Sequence, residues 1–437
     1  ASVHYTFYER TDVANKSRRP IMISFNGGPG SGSLWMHMAY TGPMVLNIDK
    51  EGFPVQPYGV KSNPYSVLDV ADIVYVNPVN TGYSRIVDKK VKREAFFGIN
   101  ADIKYLAEWI NTFIQRNNRW ESPKYLIGES YGTVRVSGLA LALQNRQWMY
   151  LNGVILVSPT ELGIDSSRPD ADGRTGPLGA ALRLPYFTAT AWYHKKLPDD
   201  LQKKYLDQVL SLSEDYAVNQ LMAVLAKGNS ASENEKREAA KNIARFSGIS
   251  EKAILSYNLD VPTNFFWKEL LRDEGYTLGR LDSRYRGIDK TVAGDRPDYW
   301  AELTSWNHSF APAVNYYFKN VLKFETDVKY NLFGPVYPWD WKNNNTGENL
   351  RKAMAANPFL HTLIQAGYYD GATKYFDAKY TMWQLDPSGK MKDRLSFEGY
   401  RSGHMMYLRE PDLLKSNSDI RKFILRTIPK PGVPAKY

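Results

Sequence analysis

Gly128, Ser130 and Gly132 alternate in Tyr125-Leu-Ile-Gly-Glu-Ser-Tyr-Gly-Thr133, between a short apolar run and a helical stretch over 134–148. A serine at so sharp a strand-to-helix turn has a strained backbone and an exposed hydroxyl, the arrangement of a nucleophile elbow. The flanking glycines are required because a Cβ at either position would clash with the turn. Gly-x-Ser-x-Gly alone is a weak signal; a strand before it and a helix after it carry the inference. The chemistry in view is acyl transfer through Ser130. That needs a base, an orienting carboxylate and donors for an oxyanion.

There are six histidines. If the chain order is serine, acid, histidine, then His4 and His37 drop out. His194 is expected to pack among aromatics, His308 to sit in a loop, and His361 to begin a buried strand. His404 lies in Ser402-Gly-His-Met-Met406, a glycine-preceded loop after the strand-like 395–400. It is the best-placed base. Asp370, in Gly367-Tyr-Tyr-Asp-Gly371, directly follows a strand at 361–366. Carboxyl ends of strands are where an α/β sheet carries its functional groups. Asp370 is therefore the carboxylate expected to fix the imidazole tautomer and stabilise its charged form. Asp377 is the nearest rival, but its surroundings read as a solvated helix. One oxyanion donor should be the backbone N–H of Tyr131. The other should come from the loop Asn26-Gly-Gly-Pro-Gly-Ser-Gly32, where glycines let the backbone approach a ligand. That loop lacks G-x-G-x-x-G and a following Lys-Ser/Thr, which argues against a phosphate cradle.

These groups need a scaffold. Segments 3–8, 20–25, 71–76, 124–127 and 151–157 read as strands, with helices over 99–116 and after the elbow. Short apolar runs bounded by turns suit a mostly parallel, doubly covered sheet, so the fold class is α/β, of the α/β-hydrolase type. From 160 to 345 the strand rhythm stops, and helical stretches dominate (197–227, 232–246, 249–256, 262–274). Strands return at 361–366 and 395–400, and 411–427 reads as a helix. The expected organisation is a core first half, 1–160, an inserted and largely helical cap, 161–357, and a core second half, 358–437.

With 437 residues, 43% hydrophobic and 23% charged, the chain can bury a large core and falls in the soluble globular class. No apolar run reaches the roughly 18 residues of a membrane span. The absence of cysteine excludes disulfides, a cysteine nucleophile and thiolate metal sites. The net charge of +10 is scattered, densest at Lys89-Lys-Val-Lys-Arg93, and gives no continuous face for nucleic acid. No metal or other cofactor is called for. The sequons at Asn15, Asn307 and Asn344 carry no weight.

Asn26-Gly-Gly-Pro-Gly30, Gly128-Glu-Ser-Tyr-Gly132, Gly367-Tyr-Tyr-Asp370 and Ser402-Gly-His-Met405 together resemble the serine carboxypeptidase family (peptidase family S10). The cysteine-free bacterial branch fits best. Asp72-Ile-Val-Tyr-Val-Asn-Pro-Val-Asn-Thr-Gly-Tyr-Ser84 is similar to a further family segment. The resemblance covers both core halves and is poor in the cap. It implies Ser130, Asp370 and His404 as a triad, and the amides of Gly28 and Tyr131 as the oxyanion hole. It also implies that Asn26 and Glu129 bind a substrate's C-terminal carboxylate, and that Met405 lines the leaving-group pocket. Asn26 can donate to a carboxylate at any pH, whereas Glu129 can do so only when protonated. The chain departs from the family at Gly30-Ser-Gly-Ser33, where many members have Cys-Ser-Ser, and at Tyr40, where the eukaryotic branch carries a supporting Glu. Members usually have more chain before the first motif, so a removed or trimmed leader before Ala1 is expected, with a secreted or periplasmic location.

Three functions compete. An exopeptidase acting on peptides with a free C-terminal carboxylate leads. An esterase or acyltransferase would keep the triad, but its substrate offers Asn26 and Glu129 no carboxylate. A catalytically dead binding module is disfavoured because no triad position is substituted. Nothing in the sequence sets the oligomeric state.

Overall fold

The computed structural model describes residues 1–88, 90–164 and 174–437; Lys89 of the basic cluster and 165–173 of the expected cap lie outside the described residues. Seven strands form one central sheet. They are β1 (Tyr5–Tyr8), β2 (Ile21–Phe25), β3 (Asp72–Val76), β4 (Lys124–Glu129), β5 (Gly153–Val157), β6 (His361–Gly367) and β7 (Leu395–Tyr400). Their spatial order is β1-β3-β2-β4-β5-β6-β7. Only β1 runs antiparallel, on the edge against β3. The fold is the expected α/β-hydrolase type.

Strand pleat divides the core. Ile21, Ile23, Phe25, Leu126, Val154 and Leu156 enter one hydrophobic cluster, and Met22, Tyr125, Ile127, Ile155 and Val157 enter the other. That alternation, with apolar residues at both parities, is why the strands read as unbroken apolar runs. Helices α1 (Leu34–Ala39), α2 (Ile99–Arg116) and α3 (Tyr131–Gln147) follow β2, β3 and β4, and α2 buries Ile99, Ile103, Leu106, Ile110 and Phe113 along one stripe. Phe25 pairs with Gly128, Glu129 with Val157, and Val157 with Gln365. The register therefore brings the carboxyl ends of β2, β4, β5 and β6 to one rim.

Between β5 and β6 the described residues are mostly helical, with one two-residue pairing, Thr277–Leu278 against Arg286–Gly287. Residues from Ala181 to Leu278 build a third hydrophobic cluster, while Tyr285, Trp306, Phe310 and Tyr317 pack into a cluster of the sheet. Three helices here escape the sequence pattern, Gly176–Tyr193, Ala301–Tyr316 and Thr346–Ala356, and the first two each contain a proline, Pro185 or Pro312. Proline removes a helix hydrogen bond and reads as a break, but burial of the two proline-containing helices overrides it. His308 accordingly lies within a helix rather than a loop, with Nδ1 at 2.7 Å from the Thr304 carbonyl.

Candidate active site

Ser130 occupies the β4–α3 turn with φ 57° and ψ −127°, a positive φ that a residue with a Cβ adopts only under constraint. The constraint is steric. A Cβ on Gly128 would lie 2.2 Å from the Gly132 carbonyl oxygen, and one on Gly132 would lie 2.6 Å from that of Phe25. Ser130 N–H donates to Val157 O at 3.0 Å, tying the turn to β5.

Asp370 leaves the end of β6 and is fully buried, and His404, on the loop after β7, is 7% exposed. His404 Nδ1 lies 2.6 Å from Asp370 Oδ2. The amides of Ala372 and Thr373 donate to Asp370 Oδ1 at 2.9 and 3.0 Å, and Thr373 Oγ1 donates to Oδ2 at 2.5 Å. This fixed carboxylate sets the imidazole tautomer with Nε2 available. Burial alone would lower the His404 pKa, but the charge and hydrogen bond of Asp370, with the charge of Glu129, outweigh it and raise the pKa. Asp377 does sit on a helix, Tyr375–Leu385, but it is not solvated: its carboxylate is 16% exposed and 3.7 Å from Arg174. It is committed to that partner rather than to His404.

Ser130, Gly28, Tyr131 and His404 line one cavity of about 500 Å³. Among the described residues no hydrogen bond joins Ser130 to His404, a contact that commonly tightens only when substrate is in place. Tyr131 is the first residue of α3, so its N–H has no intrahelical acceptor, and the Gly28 N–H has no partner among the described residues either. Two unpaired amides beside the nucleophile can hold an oxyanion. Gly27 shows how closely the loop passes: a Cβ there would lie 2.5 Å from Tyr131 N and 2.9 Å from Ser130 Cβ. Arg135, fully buried on α3, donates to Asn26 O at 2.8 Å and to Pro29 O at 3.3 Å while its Nε bonds Asp102 at 2.6 Å. The helix that carries the nucleophile thus also holds the donor loop.

Asn26 and Glu129 meet, Asn26 Nδ2 donating to Glu129 Oε2. Asn26 Oδ1 accepts from Met36 N–H of α1 at 3.1 Å, which fixes the amide with its NH₂ toward Glu129. Tyr407 donates to Glu129 Oε1 at 2.7 Å and stacks on Tyr40, with ring centres 4.6 Å apart. Tyr40 in turn donates to Gln365 at 2.6 Å. Tyr40 therefore supports Glu129 indirectly, through Tyr407. Burial pushes the Glu129 carboxyl up from 4.5 to about 7, against the opposing pull of His404, Tyr407 and Asn26. Asn26, Glu129 and Met405 are all at most 5% exposed and are not among the residues lining the cavity.

Neither Tyr407, Thr373 nor Arg135 stood out in the sequence. An arginine three residues past the second elbow glycine is the one signal that could have been read.

A sequence model described as serine carboxypeptidase matches residues 1–386. The chain belongs to the serine carboxypeptidase family. The match runs through the largely helical stretch between β5 and β6 as well as the flanking strands, so the family likeness extends further than the motifs indicate. It ends before His404, whose place rests on its 2.6 Å contact with Asp370. Family relatives include the vitellogenic carboxypeptidase of Aedes aegypti, 29% identical over 139 residues, 30% of this chain and 26% of that protein. Another is the lysosomal protective protein of Mus musculus, 27% identical over 154 residues, 35% of this chain and 30% of that protein. The matched stretches thus span less than a third of these relatives' own lengths. Among solved structures, a prohormone-processing carboxypeptidase from Saccharomyces cerevisiae superposes with TM-score 0.56 at 15% identity, covering 98% of this chain and 87% of that one. It shares the α/β-hydrolase fold. No helix among the described residues is long and apolar enough to cross a membrane.

Proposed function

We propose that this chain is a serine carboxypeptidase that removes the C-terminal residue of peptides through an acyl-enzyme on Ser130. His404 Nε2 takes the Ser130 proton as Oγ attacks the scissile carbonyl carbon, and Asp370 stabilises the imidazolium that forms. The Gly28 and Tyr131 amides hold the oxyanion. The imidazolium then protonates the departing amine. A water activated by the same base hydrolyses the ester and regenerates Ser130.

The observation that carries the peptidase reading is the pairing of Asn26 with Glu129, a buried amide and a carboxyl that stays protonated to about pH 7. Both can donate to the carboxylate of the leaving residue, and at high pH an ionised Glu129 would repel it. Met405 next to the base is assigned to the wall that meets the leaving side chain. The region 161–357 is read as a cap, supported by Arg280, Leu281, Trp341 and Asn344, which line the cavity together with Ser130 and His404. A secreted or periplasmic site of action fits the family.

The test compares a blocked dipeptide with its C-terminal amide. A kcat/KM for the free acid at least tenfold above the amide below pH 6 is expected. Equal turnover, with preference for simple esters, would instead favour an esterase or acyltransferase.

A further inference from the structure

The loops bearing the acid and the base are both tied to one short piece of the inserted region. Residues 280–284 form the turn between the paired strands Thr277–Leu278 and Arg286–Gly287. Gly371 N–H donates to Arg280 O at 3.0 Å and Ser283 N–H to Tyr369 O at 2.9 Å, which grips the Asp370 loop on both sides. His404 N–H donates to Leu281 O at 2.6 Å, and Gly403 N–H to Asp282 Oδ2 at 3.2 Å. The approach is close enough to demand glycine. A Cβ on Gly403 would lie 2.4 Å from Leu281 O and 2.5 Å from Asp282 Cβ.

The turn is itself anchored from two directions. Asp282 and Arg284, both nearly inaccessible, form an ion pair with contacts of 3.0, 3.2 and 2.6 Å, and Arg284 reaches Ser402 Oγ at 3.4 Å. Leu281 N–H donates at 2.8 Å to Oε1 of Glu302, a residue with no exposed surface in the first turn of the helix Ala301–Tyr316. The other oxygen, Oε2, has no hydrogen-bond partner among the described residues. A buried carboxyl with an unpaired oxygen costs stability, so apolar packing does not account for it. Its made bond does: it fixes the Leu281 N–H, and the carbonyl of the same residue accepts from His404.

We propose that Asp282 and Glu302 are positioning residues for the catalytic base, holding residues 280–284 as a clamp from the inserted region that sets where His404 stands. Neither residue lines the cavity that holds Ser130 and His404. They act through the Leu281 and Gly403 backbones, and a displacement of about 1 Å in a base costs roughly 10²-fold in rate. The inserted region is then part of the catalytic geometry and does not swing free of the base. This inference rests on His404 being the general base but not on the nature of the substrate.

The experiment measures Ser130 labelling by a phosphonofluoridate, together with kcat and KM on a blocked dipeptide, in the full chain. Glu302→Met fills the same volume without an acceptor, and Asp282→Ala removes the bond to Gly403. Each is expected to lower both the labelling rate and kcat roughly 10²-fold, with KM within about twofold of wild type. Glu302→Gln, which keeps the acceptor, should restore both to within about threefold. Labelling rates unchanged in folded Glu302→Met and Asp282→Ala overturn the proposal. So does an equal loss in Glu302→Gln. If the variants do not fold, hydrogen exchange in the wild-type chain decides. The Gly403 and His404 amides should exchange as slowly as those of the adjoining strand Leu395–Tyr400, and rapid exchange there refutes the clamp. A protein that labels normally but cleaves no dipeptide refutes the peptidase reading and leaves this inference standing.

Discussion

The proposed recognition of a substrate carboxylate by Glu129 makes a quantitative demand on pH. Raising its carboxyl from 4.5 to about 7 by burial corresponds to about 3 kcal/mol in favour of the neutral form. Only that neutral form can donate to a substrate carboxylate, so apparent affinity scales with its population. At pH 5 nearly all of the free enzyme is competent, at pH 7 about half, and at pH 8 roughly one tenth. KM for a blocked dipeptide acid should therefore be flat below about pH 6 and roughly tenfold higher at pH 8. For the corresponding amide KM should stay level, because no anion has to be met. Glu129→Gln donates at every pH, and the Tyr407 hydroxyl can turn to accept from it. In that variant the KM of the acid should change by less than about twofold between pH 5 and 8. The same pKa enters stability: a carboxyl held protonated in the fold stabilises it fully below 4.5 and loses that contribution as pH rises to about 7. Thermal unfolding of wild type should thus fall across that window by more than in Glu129→Gln. Steady-state kinetics at half-unit pH steps is the assay. A wild-type KM for the acid that is flat from pH 5 to 8 refutes the reasoning, as does an undiminished slope in Glu129→Gln.

Ser130→Ala and His404→Ala should each lower kcat by several orders of magnitude while leaving the melting temperature near wild type, and the double variant should be scarcely worse because the pair acts as a unit. Gly28 has φ +98° and a Cβ there would stand 2.7 Å from Ser31 Oγ, so Gly28→Ala should move the donor loop and lower kcat by roughly 10²-fold, measured with KM to separate catalysis from binding. Arg135→Met leaves Asp102 buried without its partner and frees the Asn26–Pro29 carbonyls; chemical denaturation should show a loss of about 3–5 kcal/mol, with a fall in kcat in whatever protein remains folded.

The parts legible in the sequence are those where backbone geometry forbids alternatives. Gly128 and Gly132 had to be glycine for Ser130 to stand at its positive φ, and β2 to β6 read as mainly apolar because both faces of the sheet are covered. His404 and Asp370 followed from chain order and strand ends, since a parallel sheet delivers its loops to one rim. What supports them was not legible. The Glu129 carboxyl is held by Asn26 and Tyr407, and Tyr407 rests on Tyr40 and thereby on Gln365, residues from both halves of the core with no common spacing. Tyr40 in particular left the support of Glu129 open, and its stack with Tyr407, which bonds Glu129, is visible only in the fold. The error over His308 has a related cause: Pro312 breaks the local pattern of a helix that survives because Trp306, Phe310 and Tyr317 are buried against the sheet. A local signal reveals what a residue must do to its own backbone. The dependence of the Gly403–His404 loop on residues more than a hundred positions earlier arises only when tertiary packing brings them together, which is why Asp282 and Glu302 could be recognised as candidates only once the chain was folded.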